Sequence, residues 1–390
     1  MSSSYRRSLR TILRGTLRYL WGKRGERRVK GWRMLYRLRV EALLRVEEPF
    51  QSLTRHAEVR LWVDGEEAFA RLEKLFSRAR HTIVIQMFIW KDDAVGRRIA
   101  AVLVEAADRG VMIHIAKEAV GDFFEVTGDF ITTKHEKDRI WQRFWNHPRI
   151  KITHSAQHDH AKVYVIDDHT LLLTGMNIAQ EYLEWHDYMV ELRGTRFVAQ
   201  YLTDGEFPVA RKSAPRSEPV QLIMNTPMRK EIRPAVMQLL QSARRSILIE
   251  QCYFSDPAVV SLLSQRSRHG VRIIIVLPET PDLHRNANYQ AIGNLLASAA
   301  PGSVRVFLYP GIVHGKVILV DRKKMLLGSA NLITSSLDEM GEVCVLVEGR
   351  YRMALLKLRE VLRRDIFKSK PMTSPPQLRW IGKWLAGMGL

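Results

Sequence analysis

A duplicated α/β fold is predicted by two features: strand-like and helix-like periodicities alternate along the chain, and the whole pattern occurs twice. Residues 81–118 and residues 245–279 each run strand, turn, helix, Arg/His-Gly-Val, strand. In each, a β-branched and aromatic run precedes a helical window that ends at Gly110 or Gly270. Glycine commonly ends helices because it enters the left-handed conformation without a side-chain clash. Strands alternating with helices argue a largely parallel or mixed sheet covered on both faces.

The 390 residues are enough for two domains or one large duplicated unit, at roughly 100 to 200 residues per domain. Hydrophobic residues make up 46% and charged residues 26%, close to the soluble globular average, which excludes disorder. The chain divides into a basic segment 1–56, a first lobe 57–206, a linker 207–219 carrying Pro208 and Pro215, a second lobe 220–370 and a tail 371–390.

The formal net charge of +20 points to an anionic partner, and its position narrows the choice. Residues 1–50 hold fourteen Lys and Arg against four Glu, so half of the surplus lies in this segment. Leu9, Ile12, Leu13, Leu17, Leu20 and Trp21 recur at helical steps, with Arg7, Arg10, Arg14 and Arg18 mostly on the opposite side. A second stripe follows in Trp32, Leu35, Tyr36, Val40, Leu43 and Leu44. Basic amphipathic helices of this kind lie on anionic membranes, gaining about 1 kcal/mol per Lys or Arg near the surface. Two other readings stay open: helices docked on the protein body, and a targeting peptide, since no acid precedes Glu26. In the tail, Trp380, Ile381, Trp384 and Leu385 beside Arg379 and Lys383 suit a bilayer interface.

No stretch reaches the roughly 18 uninterrupted apolar residues of a spanning helix. The expected location is peripheral, on the cytoplasmic face of a cell inner membrane. Cys252 and Cys344 each sit in an apolar run and read as buried thiols in a reducing compartment.

The chemistry-bearing pattern is also duplicated. His160, Lys162, Asp167 and Asn177 recur at identical offsets as His314, Lys316, Asp321 and Asn331, with Ser329 before the last. In HAKVYVID and HGKVILVD the alternation is that of a strand, so His and Lys share one side. An imidazole titrating near neutrality beside a fixed ammonium suits attack on a phosphodiester, the cation neutralising charge on the phosphoryl oxygens. Asp167 and Asp321, at odd offsets, complete the motif but read as structural anchors. Asn177 and Asn331, each expected to end the following strand, and Ser329 can donate to a phosphate. Asp187, ten residues after Asn177, and Glu342, eleven after Asn331, are candidates to orient the histidines. His154, His158, His186 and His284 lack such a setting and read as surface or supporting residues. Zinc-ligand spacings, a Walker loop and a dinucleotide GxGxxG are absent from the sequence.

At these residues the sequence resembles the phospholipase D superfamily, whose HxKxxxxD…GSxN motif appears twice per active site. It looks most like the bacterial cardiolipin synthases, through FIWKDDAVG, AADRGV, the two HxK motifs and GSANL, over roughly residues 58–370. The resemblance implies two similar α/β/α sandwich lobes about a pseudo-twofold and one shared site. It implies ping-pong chemistry through a phosphohistidine, with no metal and no cofactor. Carried onto this chain, His160 attacks a phospholipid phosphorus while His314 protonates the departing alcohol, then deprotonates an incoming hydroxyl. Lys162, Lys316, Asn177 and Asn331 hold the phosphate. One departure is that Thr174-Gly175 stands where the second copy has Gly328-Ser329, so asymmetric phosphate contacts are expected.

The expected activity is transfer of a phosphatidyl group to phosphatidylglycerol, with phosphatidylethanolamine a possible second substrate. The alternatives are a phospholipase D-type hydrolase and a nuclease of the same superfamily. A nuclease should gather its Lys and Arg around the catalytic face. Here the surplus lies in terminal segments bearing Leu and Trp stripes, so no nucleic acid partner is expected. A non-enzymatic membrane-binding protein with a decayed site is disfavoured by complete motifs on both sides. The aromatic block Phe123, Phe124, Phe130, Trp141, Phe144 and Trp145 either lines an acyl-chain groove or packs in the core.

Overall fold

The computed structural model describes residues 58–118, 121, 139–155, 159–203, 220–227, 229–349, 352–372 and 374. The amphipathic segment 1–56, the linker 207–219 and the Trp380–Leu385 stripe lie outside the described residues.

The first repeat runs β1 (Glu58–Val63), α1 (Asp64–Phe76), β2 (Thr82–Met87), α2 (Ala94–Asp108), β3 (Met112–Glu118), α3 (Arg139–Asn146), β4 (Ile150–Ser155), β5 (Lys162–Ile166), β6 (Thr170–Thr174), β7 (Tyr188–Arg193) and α4 (Thr195–Leu202). The second runs β8 (Val220–Asn225), α5 (Ile232–Gln241), β9 (Ser246–Gln251), α6 (Pro257–Arg268), β10 (Arg272–Pro278), α7 (Arg285–Ser298), β11 (Val304–Tyr309), β12 (Lys316–Val320), β13 (Lys324–Gly328), α8 (Thr334–Asp338), β14 (Glu342–Glu348), α9 (Arg352–Lys368) and β15 (Lys370–Pro371). The sheet orders are β1-β7-β6-β5-β2-β3-β4 and β8-β14-β13-β12-β9-β10-β11-β15. Apart from the added edge strand β15, one order repeats the other, as the duplicated sequence predicts. Each sheet is mixed: β2, β3 and β4 are parallel, as are β9, β10 and β11, and the remaining pairings are antiparallel.

Local sequence explains the equivalent starts and stops. Asp93 caps α2 by accepting from Gly96 N at 2.9 Å, and Asp256 caps α6 by accepting from Val259 N at 2.9 Å. Gly110 and Gly270 end these helices with φ of 104° and 81°, where a Cβ would be strained. Strand alternation then sorts the apolar side chains into layers. Odd-numbered residues of β5 and β12, Val163, Val165, Val317 and Leu319, pack in one core shared by the two sheets. Their even-numbered neighbours Tyr164, Ile166, Ile318 and Val320 face the two outer helix layers. The sheets therefore pack against each other, with α4 and α9 contributing Phe197, Val198, Leu355 and Leu358 to the shared core. Cys252 and Cys344 are buried free thiols.

Phe144 is buried in the first lobe with its ring 5.2 Å from Trp90, and Trp141 packs beside it. Core packing accounts for these two, while Trp145 is 52% exposed. Phe123, Phe124 and Phe130 lie outside the described residues.

Candidate active site

Both motif histidines sit just before an antiparallel strand that pairs with the first parallel strand of its lobe. Lys162 and Lys316 open β5 and β12, and Lys316 lies opposite Gln251 at the end of β9. The two motifs thus lie at the carboxyl ends of the parallel strands, where open α/β sheets place their ligands. The lobes then meet through reciprocal backbone bonds: His160 N donates to Gly341 O at 2.8 Å, and His314 N donates to His186 O at 2.7 Å. Each acceptor immediately precedes one of the two orienting carboxylates. Gly341 is required by this approach, since a Cβ there would fall 1.8 Å from Asp159 Oδ1.

The carboxylates are crossed between the repeats. Nδ1 of His160 donates to Oε1 of Glu342 at 3.0 Å, and Nδ1 of His314 donates to Oδ2 of Asp187 at 2.7 Å. Asp187 and Glu342 are 1% and 0% exposed, so both depend on protein partners at the buried seam. Tyr188 N donates to Asp187 Oδ1 at 2.7 Å. Ser336 Oγ donates to Glu342 Oε1 at 2.6 Å, and Ser329 Oγ donates to Glu342 Oε2. The Ser329 hydroxyl therefore fixes the carboxylate, instead of pointing its proton at a phosphate as the sequence reading has it. In the first lobe Asp187 is one methylene shorter and a glycine stands at the serine position. A Cβ on Gly175 would lie 2.5 Å from Asp187 Oδ2, so Gly175 makes room for the shorter carboxylate. Thr174 replaces a glycine without loosening the turn, because its hydroxyl donates to Tyr188 O at 2.8 Å and accepts from Met176 N at 3.1 Å.

The lysines arch over their own motifs. Lys162 Nζ donates to His160 O at 2.6 Å, and Lys316 Nζ donates to His314 O at 2.5 Å while lying 3.2 Å from His314 Nε2. Phe88 meets the His160 ring edge-on at 5.2 Å, and Tyr182 and Trp185 flank His314 at 5.3 and 5.5 Å. Burial, reinforced by Lys162, holds the His160 imidazole below its ordinary value despite Glu342. Burial and Lys316 pull His314 down to about 4 against the opposing Asp187. Burial brings Lys162 down to about 7. Burial would raise Glu342, but His160, Lys162 and Ser329 hold it low. Lys316 acts on both His160 and Lys162, and Asp187 acts on Lys162, so the half-sites share one electrostatic environment.

Two neutral imidazoles face the site with Nδ1 held by a carboxylate; Nε2 of His314 is shared with Lys316 Nζ, and Nε2 of His160 is the available nitrogen. Nε2 of His160 makes no hydrogen bond among the described residues. An arriving phosphodiester adds negative charge beside the imidazoles and favours protonation of one of them.

Other expected residues are placed differently. Asp167 accepts from Arg80 N at 2.9 Å, His81 N at 2.8 Å and Thr82 N at 3.1 Å. Asp321 accepts from Arg244, Arg245 and Ser246 N at 2.9, 2.7 and 2.9 Å. Both open hairpin turns with two consecutive positive φ values, Asp167–Asp168 and Asp321–Arg322, a conformation that aspartate tolerates better than most residues. Neither touches an imidazole. Asn177 and Asn331 lie three residues past the ends of β6 and β13, so they follow the strands instead of ending them. The Asn177 amide is committed at both ends, its Oδ1 accepting from Ile89 N at 3.1 Å and its Nδ2 donating to Tyr182 OH at 2.7 Å. Asn331 Oδ1 is buried without a donor. Of the two readings left for His186, surface or supporting, its 4% exposure in a cluster of acids removes the first. His154 is exposed, His284 half-buried against Tyr253, and His158 outside the described residues. Sequence reasoning missed Ser336 and Tyr182, which carry no motif signal and become visible only once the chain is folded.

The family described as "Cardiolipin synthase, PLD-like domain" matches residues 72–205 and 236–366. Cardiolipin synthase A of Pseudomonas aeruginosa is 29% identical over 323 residues, covering 74% of this chain and 63% of that protein. The chain thus spans less than two thirds of that relative's length. Cardiolipin synthase B of Escherichia coli is 26% identical over 322 residues, 75% of this chain and 77% of that one. Among solved structures, phosphatidylserine synthase of Haemophilus influenzae superposes with a TM-score of 0.62 at 14% identity, over 87% of this chain and 95% of that one, a likeness of fold. Among the described residues, no helix is long and apolar enough to cross a membrane.

Proposed function

Because the chain belongs to the cardiolipin synthase, phospholipase D-like domain family, we propose that it is a phosphatidyltransferase forming cardiolipin through a phosphohistidine. The observation that carries this reading is the crossed pair of imidazole–carboxylate bonds, His160 with Glu342 and His314 with Asp187.

In the first half-reaction Nε2 of His160, the nitrogen with no hydrogen bond among the described residues, attacks the phosphorus of phosphatidylglycerol. A P–N bond forms and the P–O bond to the terminal glycerol breaks. As the substrate binds, His314 takes a proton from water at Nε2 and passes it to the departing alkoxide. His314 is held neutral in the free protein, and the substrate's negative charge supplies the push toward the protonated form. In the second half-reaction, neutral His314 takes the proton of a hydroxyl on a second phosphatidylglycerol. That oxygen attacks phosphorus, the P–N bond breaks, cardiolipin leaves, His160 is freed, and His314 returns its proton to water. Lys162 and Lys316 neutralise the phosphoryl oxygens as charge accumulates. Phosphatidylethanolamine as donor needs only a different alcohol at the first step.

The protein acts from the membrane surface, on the cytoplasmic face of an inner membrane, through the basic segment 1–56. Incubation of the purified full chain with phosphatidylglycerol, with and without phosphatidylethanolamine or glycerol, tests the reading by mass spectrometry of the lipids. Cardiolipin with stoichiometric glycerol release is expected. Phosphatidate alone makes the enzyme a hydrolase, and intact lipid with cleaved polynucleotide makes it a nuclease.

A further inference from the structure

Beside the motif pair, but outside it, lies a buried acid cluster that the transfer chemistry does not use. His186, Glu250 and Asp365 come from three distant segments: the residue before Asp187, the strand β9 and the helix α9. The exposures are 4% for His186 and 0% for both acids. Nε2 of His186 lies 3.2 Å from Asp365 Oδ2 and 3.6 Å from Glu250 Oε1. The Tyr188 hydroxyl stands 3.0 Å from the same nitrogen and donates to Glu250 Oε1 at 2.7 Å.

The acids are undercompensated. Among the described residues Glu250 Oε2 and Asp365 Oδ1 are buried without a hydrogen-bond partner, and Asp365 Oδ2 has only His186 Nε2, at 3.2 Å. The arginine nearest them, Arg364, reaches only 4.0 Å from Asp365 with a half-exposed side chain. Burying two carboxylates in this way is costly unless a cation joins them. Behind the imidazole, Nδ1 faces Asp64 Oδ1 at 2.5 Å. Asp64 holds that position from a left-handed backbone, φ 64°, with its own N–H bonded to Asp187 O at 2.9 Å. A carboxylate on Nδ1, with Nε2 turned toward two further carboxylates, is the arrangement that fixes the tautomer and ring orientation of a histidine metal ligand.

We propose that His186 Nε2, Glu250 and Asp365 bind one divalent zinc ion that staples the two lobes. Ligand atoms about 2.0–2.2 Å from a tetrahedral zinc lie roughly 3.3–3.5 Å apart; here Nε2 of His186 stands 3.2 Å and 3.6 Å from its two carboxylates, and all three ligand atoms lie within 4.8 Å of one another. A dication neutralises both acids. A water completes the coordination. The ion touches no reacting atom. Its ligand His186 precedes Asp187, and the His186 carbonyl accepts from both His314 N and Gly315 N. A Cβ at Gly315 would fall 3.0 Å from Glu250 Oε1, so the second motif packs directly on the site. Zinc here positions His314 through the backbone. Sequence spacing gave no hint, because the ligands are 64 and 115 residues apart.

The test is zinc content of untagged full chain, dialysed first against ZnCl2 and then against buffer, with thermal melting followed in parallel. One zinc per chain is expected in the wild type and in His160→Ala, and none in Glu250→Gln or Asp365→Asn. Added ZnCl2 should raise the melting midpoint of the wild type and leave those two variants unmoved. Asp64→Asn keeps every ligand and should weaken zinc affinity by about 10- to 100-fold, which tests the site even if the ligand variants misfold. A wild type that retains no zinc and whose midpoint ZnCl2 does not move overturns the proposal, leaving a His186 imidazolium among carboxylates. Either result is independent of which phosphodiester the enzyme turns over.

Discussion

Glu342 of the second repeat holds Nδ1 of His160 in the first, across 3.0 Å, and Asp187 returns the contact to His314. Neither lobe holds a complete imidazole–carboxylate pair. Under the proposed mechanism this makes the interface part of the reaction, because separating the sheets would break both imidazole contacts at once.

Glu342→Gln and Asp187→Asn should therefore each cost about 10²- to 10⁴-fold in turnover, the range for losing the group that fixes a catalytic tautomer. The crossing is checked by NMR of the imidazoles: Glu342→Gln should move the titration of His160 and leave that of His314 largely in place. A shift confined to His314 would contradict the exchange of partners.

Gly175→Ser would restore the motif's serine to the first copy, yet it should impair the enzyme. The new Cβ would stand 2.5 Å from Asp187 Oδ2, and the carboxylate is fixed by Tyr188 N and His314. A displacement near 1 Å at a catalytic group can cost about 100-fold. Steady-state kinetics should show the loss mainly in kcat, and a variant as fast as wild type would mean that Asp187 relaxes freely.

The fold was legible because the sequence states it twice. The alternation of β5 and β12, the capping aspartates and the glycines that end α2 and α6 are local signals, and all reappear at equivalent places. The motif residues were legible for the same reason, since His160–Lys162 and His314–Lys316 repeat at fixed offsets. What stayed hidden was contact between repeats. Offsets within one copy identify Asp187 and Glu342 but not which imidazole each one meets. Ser329 reads as a phosphate donor until the fold shows its hydroxyl on Glu342. His186 looked unremarkable because its acidic neighbours Asp64, Glu250 and Asp365 are remote in sequence.

Asp167 and Asp321 complete the motif but serve the backbone. Each carboxylate accepts three main-chain N–H groups from the segment entering β2 or β9. Asp321→Ala should lower stability by about 1–3 kcal/mol, as expected for lost bonds to a charged acceptor. Below the melting transition it should keep most of its turnover, unlike His314→Ala. Paired urea titrations and assays at low temperature separate the two effects.

Residues 1–50 carry fourteen basic and four acidic residues. Their deletion should release the protein from vesicles containing anionic lipid while leaving the far-ultraviolet spectrum that of a mixed α/β protein. Binding should also weaken with added salt, because attraction to headgroups is screened. Unchanged sedimentation with liposomes would assign membrane attachment to another part of the chain.

Lys162 gives the last test, in which stability and function oppose each other. Its side chain is fully buried, and burial brings its pKa down to about 7 from the 10.5 of an unperturbed lysine, although Glu342 opposes the shift. Between pH 7 and 10.5 the unfolded chain binds the extra proton, so this group makes the folded state more stable as pH rises through that window. Below pH 7 lysine is charged in both states, and the cost of burying the ammonium is constant. Lys162→Met removes that cost. The variant should resist denaturant better than wild type at about pH 6.5, by on the order of 1–4 kcal/mol, with the difference shrinking toward about pH 10. It should also lose turnover, having no cation to meet the phosphoryl oxygens. If Lys162→Met proves less stable than wild type on the acid side of that window, Glu342 compensates the ammonium fully and Lys162 is charged at rest.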